Sequence, residues 1–398
     1  MTSVEDYLGI IAGAIRPLPA SVLPLTEAEG GVLAEDVTAA VSLPPFDNSA
    51  MDGYAVRASD TASASEASPA VLPVTAEIAA GDTGSYQLAP GTAMKIMTGA
   101  RLPLGADSVI QVEWTDGGSS QVAISRPVSA GTAVRYAGGD AREGEVLIPA
   151  GLRLRPTHVA VTASAGRPSV AVRPRPRVVI LSTGDELTEP GTPLMPGQIW
   201  DSNSYMLASL AREAGAGSVR RTRVRDDVEG VLPAIKSLLE HADLIITTGG
   251  VSMGGEHDVV KAALESLGTV GFRKVAMQPG MPQGFGMIES VPVFTLPGNP
   301  VSAYVSFQLF VRRALGFLQG VDDLELPVVS AELAADVRSP AGRRSYLRGT
   351  FDGTTAEAFT GQGSHQIAAL GRADSLIIVP ESETQLSAGE TVDVIVLP

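Results

Sequence analysis

Residues 177–187 read RVVILSTGDEL. Val178, Val179, Ile180 and Leu181 are four consecutive apolar side chains, so both faces of this strand must be covered, as in a parallel sheet between helices. Gly184 then breaks the strand, and Asp185 and Glu186 follow at its carboxyl end. The same texture repeats downstream: a helix over about Ser202–Ala214, the strand Ser218–Val224, a helix over Val228–Glu240 and the strand Leu244–Thr247. The loop Thr248–Gly255, a helix over Asp258–Leu267, the strand Val293–Leu296 and a helix from Pro300 to about Leu315 complete it. Strands alternating with helices of this length predict βαβ units, and so a three-layer α/β domain with a mostly parallel sheet.

On either side the pattern changes. Residues from about 17 to 176 are rich in Gly and Pro and carry short apolar runs at Val71–Ile78, Ala93–Met97, Ser108–Trp114 and Gln121–Ser125. These predict an all-β insertion, with a polar loop at Ser59–Ser68 and a helix over His158–Ala165 begun by Pro156. Arg173-Pro174-Arg175-Pro176 reads as a stiff connector, because Pro fixes φ and extends its predecessor. After about Asp322, short runs at Val328–Val337, Tyr346–Phe351, Ala356–Thr360, Ser375–Val379 and Thr391–Leu397 predict a small β-barrel. At the other end Val4, Leu8, Ile11 and Ile15 lie at helical spacing and Pro17 stops the helix. The fold class is therefore multidomain, α/β plus β.

Composition limits the chemistry. The 398 residues include 29 Lys+Arg and 44 Asp+Glu, a net charge of −15, which argues against a nucleic-acid backbone binder. An anionic substrate meets a repulsive far field and must be held by local donors. Only four of the basic residues are Lys. Cysteine is absent, which excludes thiolate chemistry, and His158, His241, His257 and His365 form no ligand motif. Any metal would be oxygen-ligated, for which Mg²⁺ is better suited than Zn²⁺. No apolar run is long enough to span a membrane, and Glu5 and Asp6 stand where a signal peptide needs positive charge. A cytoplasmic location is the expectation.

Ligands of open parallel sheets bind beyond the carboxyl ends of the strands. Three Gly-containing turns are predicted there: Ser182–Glu186, Thr247–Val251 and Leu296–Pro300. Glycine allows close backbone approach, and helix N-termini offer N–H donors. Asn299 suits an N-cap and Pro300 the first helical position. Carboxylates gather at the same edge: Glu186, Asp226, Asp227 and Asp258, with Asp201 opening the helix that contains Asn203. They are either helix caps or a Mg²⁺ site beside phosphates. Lys274, Arg344 and Arg348 are the nearby cations, each either facing the site or simply solvated. The residues alone predict a Mg²⁺-assisted enzyme acting on a phosphate-bearing ligand.

Five motifs go further. FDNSAMDGYA (46–55), KIMTGA (95–100), STGDEL (182–187), TGGVS (248–252) and LPGNP (296–300) resemble, in order and over nearly the whole chain, the molybdopterin molybdenumtransferases, the MoeA family that includes the gephyrin E domain. The resemblance implies an N-terminal helix (1–16) on the α/β domain, a discontinuous linking domain (17–45 and 141–176) and a β insertion domain (46–140). It further implies an α/β molybdopterin-binding domain (177–322) and a C-terminal β-barrel (323–398). It implies a homodimer and a reaction in which adenylylated molybdopterin and molybdate give molybdenum cofactor and AMP, with Mg²⁺. The nucleotide edge would comprise Thr183, Gly184, Asp185, Asp201, Asn203, Gly249, Gly250, Ser252, Pro297, Gly298, Asn299 and Pro300. Asp52, Thr98 and Asp140 of the neighbouring subunit would close the cleft. Glu186, Asp226 and Asp258 would be the acidic and metal-holding residues, and Lys274, Arg348 and Ser364 the molybdate side. Transient contacts with the adenylyltransferase and with cofactor-accepting enzymes are further implied partners.

The chain departs from the family pattern at Gln278-Pro279-Gly280-Met281-Pro282, where many relatives carry two lysines. Gln278 brings a donor but no charge. Two rival readings are an adenylylating enzyme of the same pathway, which lacks the insertion and barrel, and a gephyrin-like scaffold, which would carry an appended partner domain.

Overall fold

The computed structural model describes residues 1–224, 228–249, 264 and 270–398, and the chain divides into two compact units. The first comprises residues 1–22, 30–34 and 171–398. Its opening helix α1 (Val4–Ala14) is capped by Ser3, whose Oγ accepts from the Asp6 N–H at 3.0 Å, and it buries Val4, Tyr7 and Ile11.

The α/β part then runs β1 (Arg177–Thr183), α2 (Asn203–Glu213), β2 (Ser218–Val224), α3 (Val228–Leu238), β3 (Leu244–Thr248), β4 (Val270–Lys274), the short β5 (Met277–Gln278), β6 (Pro282–Ile288) and β7 (Val291–Leu296). The sheet order is β2-β1-β3-β7-β6-β4. β1 pairs in parallel with β2 and β3, and β3 with β7, whereas β6 and β4 run antiparallel at one side. Val178 and Ile180 enter one core with Tyr7, Leu207, Phe294 and Phe310; Val179 and Leu181 enter another with Ile235, Ile245 and Val293. Both faces of the quoted strand are thus buried, as its unbroken apolar run requires.

Most predicted elements are present, with shifted ends. The expected helix over Asp258–Leu267 lies outside the described residues apart from Leu264, which is buried. The strands β4 and β6 were not read from the sequence. β6 carries Pro282, Gly284 and Gly286, which suggest a loop. At 284 the cause is packing: a Cβ there would stand 2.7 Å from Phe272 Cε1 and 2.8 Å from Thr295 Cβ. The last long helix (300–319) contains a π segment at Phe307–Val311 and continues to Gln319 rather than ending near Leu315.

The barrel follows: β8 (Val328–Leu333), β9 (Arg344–Phe351), β10 (Thr355–Ala358), β11 (Ser375–Val379) and β12 (Thr391–Val396). The pairings β9-β10-β8-β12-β11 return to β9 and close it. Leu333, Leu347, Ile377 and Val394 are among the residues filling its core. β5 adds in parallel to the start of β9, setting Met277 opposite Arg344 and Gln278 opposite Ser345. Arg175 of the connector donates to the Gly215 and Ala216 carbonyls.

The second unit comprises residues 23–29 and 35–170. Its main sheet orders Ser108–Gln111, Gly53–Val56, Ala93–Ile96, Ala70–Ile78 and Gln121–Ile124. Tyr54 and Ala55 alternate into cores on its two faces. The expected strand Ser108–Trp114 ends at Gln111 and becomes a 3₁₀ turn. The helix Pro156–Ser164 begins at Pro156 as predicted.

Tyr7 tests the packing of α1. Its ring meets Phe310 edge-on at 4.8 Å, and its hydroxyl is buried without a hydrogen-bond partner among the described residues. Tyr7→Phe removes that unpaired group and should leave the denaturation midpoint unchanged or raise it. Tyr7→Ala should cost about 3–5 kcal/mol through cavity formation, measured by denaturant titration.

Candidate active site

Three turns leave the carboxyl edge of the sheet together. Thr183-Gly184 follows β1, Thr248-Gly249 ends β3, and Pro297–Pro300 follows β7. Gly249 has φ +92°, and a Cβ there would lie 2.7 Å from the Thr183 carbonyl oxygen, so only glycine allows this approach. The same virtual atom at Gly298 would lie 3.6 Å from Gly249 Cα. Asn203, at the start of α2, fastens the turns by donating its amide to Thr248 Oγ1 at 2.9 Å and to the Gly298 carbonyl at 2.7 Å.

Thr183, Asn203, Thr248, Gly249 and Gly298–Pro300 line a cavity of about 350 Å³, whereas Gly184 and Pro297 do not. Thr183 Oγ1 and Asn203 Oδ1 are buried within its lining residues and have no hydrogen-bond partner among the described residues, unlike most buried polar atoms. Ile199 and Trp200 give it an apolar side although they are 55% and 49% exposed. An aromatic plane beside orphaned donors and acceptors suits a flat, polar-edged ring system. Trp200 was missed in the sequence reading, although an indole beside the Asp201–Asn203 segment was a usable signal. His365 and Ile367 also line it, and nothing in the spacing of the four histidines singled out His365.

The acidic residues take different roles. Asp201 is 2% exposed and accepts from the hydroxyls of Ser182 (2.8 Å) and Ser204 (2.7 Å) and from the Ser204 N–H (3.0 Å). It is a buried cap of α2. Asp185 is exposed and does not line the cavity. Glu186 does, and its carboxylate folds back over Gly184, where a Cβ would stand 2.7 Å from both oxygens. Asp226, Asp227, Asp258, Gly250 and Ser252 lie outside the described residues. Among the described residues no three carboxylate or imidazole groups converge as a metal cage. Glu186 is still a suitable oxygen donor for Mg²⁺, which binds through one or two carboxylates together with phosphate oxygens.

A second cavity of about 290 Å³ shares Asn299 with the first and is lined by Gln278–Pro282, Pro297, Ser302, Arg343 and Gln362–Ser364, among others. Asn299 sits at the N-cap position but does not cap; its amide donates to Ser364 Oγ at 2.9 Å. The Val301 N–H, expected to be open at this helix start, donates to the Ser364 carbonyl at 3.1 Å.

Arg348, expected beside the anion, is instead 1% exposed. Its guanidinium donates to the carbonyls of Gln366 (2.6 Å), Gly361 (3.1 Å) and Gly363 (3.2 Å), and burial lowers its pKa. It builds the loop that carries Ser364 and His365. Lys274 is exposed on β4 and lines neither cavity.

In the second unit, Asp52 and Thr98 do come together. Asp52 Oδ1 accepts from the Thr98 N–H at 2.7 Å and hydroxyl at 2.8 Å, and these bonds hold its pKa below the usual carboxylate value. Asp140 is exposed, and no hydrogen bond joins it to either.

Family models match in three consecutive segments: the MoeA N-terminal region (domain I and II) over residues 2–166, a probable molybdopterin binding domain over 179–316, and the MoeA C-terminal region (domain IV) over 330–397. Molybdopterin molybdenumtransferase 2 of Mycobacterium tuberculosis is 43% identical over 99% of both chains. The Nostoc molybdopterin molybdenumtransferase is 36% identical over 100% of this chain and 94% of its own. The crystal structure of a molybdopterin biosynthesis MoeA protein from Pyrococcus horikosii superposes with a TM-score of 0.82 at 33% identity, over 100% of this chain and 99% of that one. With relatives matched along their full lengths, the chain belongs to the MoeA family of molybdopterin molybdenumtransferases.

Proposed function

We propose that this chain inserts molybdenum into molybdopterin, taking adenylylated molybdopterin and molybdate and releasing AMP. One observation carries the reading. Thr183 Oγ1 and Asn203 Oδ1, unpartnered among the described residues, line a cavity with an exposed indole, and Asn299 joins it to a smaller, donor-lined cavity. A pterin nucleotide suits the first and a tetrahedral oxyanion the second. Both reactants then meet across Asn299 and Ser364. The adenylylating alternative is less favoured because the barrel contributes Arg343 and Gln362–Ser364 to the second cavity.

The residues have separable tasks in this scheme. Asn203 and Gly249 fix the turns that receive the nucleotide, Trp200 covers a ring face, and the Ser364 hydroxyl faces the oxyanion. Glu186 would hold Mg²⁺, with Asp226 and Asp258 as further acidic positions. Mg²⁺, when bound, offsets the charge of the phosphoanhydride. The chain would work in the cytoplasm as a homodimer, with Asp52, Thr98 and Asp140 of one subunit serving the other, and would meet the adenylyltransferase and cofactor-accepting enzymes transiently.

The direct test is AMP release from adenylylated molybdopterin with molybdate and Mg²⁺; absence of molybdate-dependent release would refute the reading. Glu186→Gln should lower turnover about tenfold or more at limiting Mg²⁺ and recover partly at saturating Mg²⁺, a loss of ~1.4 kcal/mol or greater. An unchanged Mg²⁺ dependence would remove Glu186 from the metal.

For the shared cleft, inactive Asp52→Ala and inactive Glu186→Ala chains should regain activity when mixed, since mixed dimers hold one intact site. No recovery after demonstrated subunit exchange would contradict the arrangement.

The Asp52–Thr98 pair has a pH signature. Thr98→Val keeps the backbone donor and loses the hydroxyl, so the Asp52 pKa should rise. Because the ionised form is the one stabilised, the acid limb of activity should move to higher pH. Carboxyl NMR titration of Asp52 checks the shift independently.

A further inference from the structure

We infer that Arg343 is the charged anchor of the oxyanion in this chain. The inference rests on the proposed reaction and names the residue that supplies its positive charge. Three observations lead to it. Among the described residues lining the second cavity, Arg343 is the only charged one, and no carboxylate is present to oppose an anion. The guanidinium of Arg343 is half-buried and makes no hydrogen bond or ion pair with a described residue. Its neighbour Arg344 is committed to Glu5 and Glu381 and is not free to serve.

The fold accounts for this placement. β5 pairs with the first residues of β9, so the uncharged Gln278–Pro282 turn lies beside the segment that carries Arg343. Gln283 fixes that turn from beneath, donating to the Gly280 carbonyl and to Ser306 Oγ at 2.6 Å each. Ser339 Oγ bonds Ser345 Oγ at 2.8 Å and reaches the Arg343 carbonyl at 3.5 Å, holding the backbone on either side.

The remaining donors complement a cation. Ser364 Oγ accepts from Asn299, which leaves its own proton to donate elsewhere. Gln362 cannot contribute, because its amide is used on the Arg348 and Phe359 carbonyls and on the Arg348 N–H. Arg348 is likewise committed to carbonyls, and Lys274 lies outside the cavity. In a chain of net charge −15, a dianion here depends on one forked guanidinium and neutral donors.

The test compares wild type, Arg343→Gln and Arg343→Lys in molybdate titrations of AMP release at low and high salt. Arg343→Gln should raise the half-saturating molybdate concentration about tenfold or more, since a charge-assisted hydrogen bond is lost. Its dependence on adenylylated molybdopterin should stay within about twofold, and its molybdate dependence should lose most of its salt sensitivity. Arg343→Lys should fall between the two, since it keeps the charge and loses the fork. Equilibrium dialysis of molybdate against each protein separates this inference from the proposed reaction. Equal retention by wild type and Arg343→Gln, or equal titrations where wild type turns over, would overturn the inference. Wild type that retains molybdate through Arg343 but releases no AMP would sink the reaction and leave the inference standing.

Discussion

A guanidinium buried away from any described carboxylate organises the barrel side of the two cavities. Arg348 is 1% exposed and bonds three backbone carbonyls within residues 361–366. A buried charge is costly unless its donors are met, and backbone carbonyls meet them here. The consequence is geometric. The loop it gathers sends Ser364 back to the start of helix 300–319, where its carbonyl takes the Val301 N–H and its hydroxyl takes the Asn299 amide. Residues of that loop wall both cavities. One buried side chain in the barrel therefore sets the shape of a site whose other half belongs to the α/β sheet.

The sheet side rests on closeness of backbone. The turn at Gly249 can approach Thr183 only without a Cβ, and Asn203 then ties the turns after β3 and β7 to the head of α2. Acidic groups at this edge divide their labour according to burial. Asp201 is sealed in by three hydrogen bonds and stabilises a helix start, whereas Glu186 is exposed to the cavity. Two carboxylates of similar sequence context thus have different chemistry, because, of the two, only Glu186 has no donor bound to its oxygens among the described residues.

Charge placement follows the same economy. Four lysines in 398 residues leave arginine as the available cation, and most arginines near the site are already committed. Arg344 serves Glu5 and Glu381, and Arg348 serves its loop. Hydrogen bonding, not proximity in sequence, decides which guanidinium can meet a ligand.

The sequence by itself determined the architecture. The unbroken run Val178–Leu181 demanded a strand covered on both faces, the alternation downstream demanded a parallel sheet, and the short apolar runs after residue 322 demanded a barrel. Period and run length are local properties, so they can be read without coordinates. The hydrogen bonds from Thr98 to Asp52, 46 residues apart in sequence, are by contrast a product of the folded unit. Tertiary structure decided what local pattern cannot encode. The strand β6 was hidden because Gly284 answers to contacts with Phe272 and Thr295 on its two neighbouring strands, which exist only once the sheet has formed. Asn299 at a cap position donates to a loop some sixty residues away, Arg348 turned inward, and Trp200, His365 and Arg343 arrived at cavities through chain crossings. Burial and the direction of a hydrogen bond depend on what packs alongside, and that is set only when the whole unit closes.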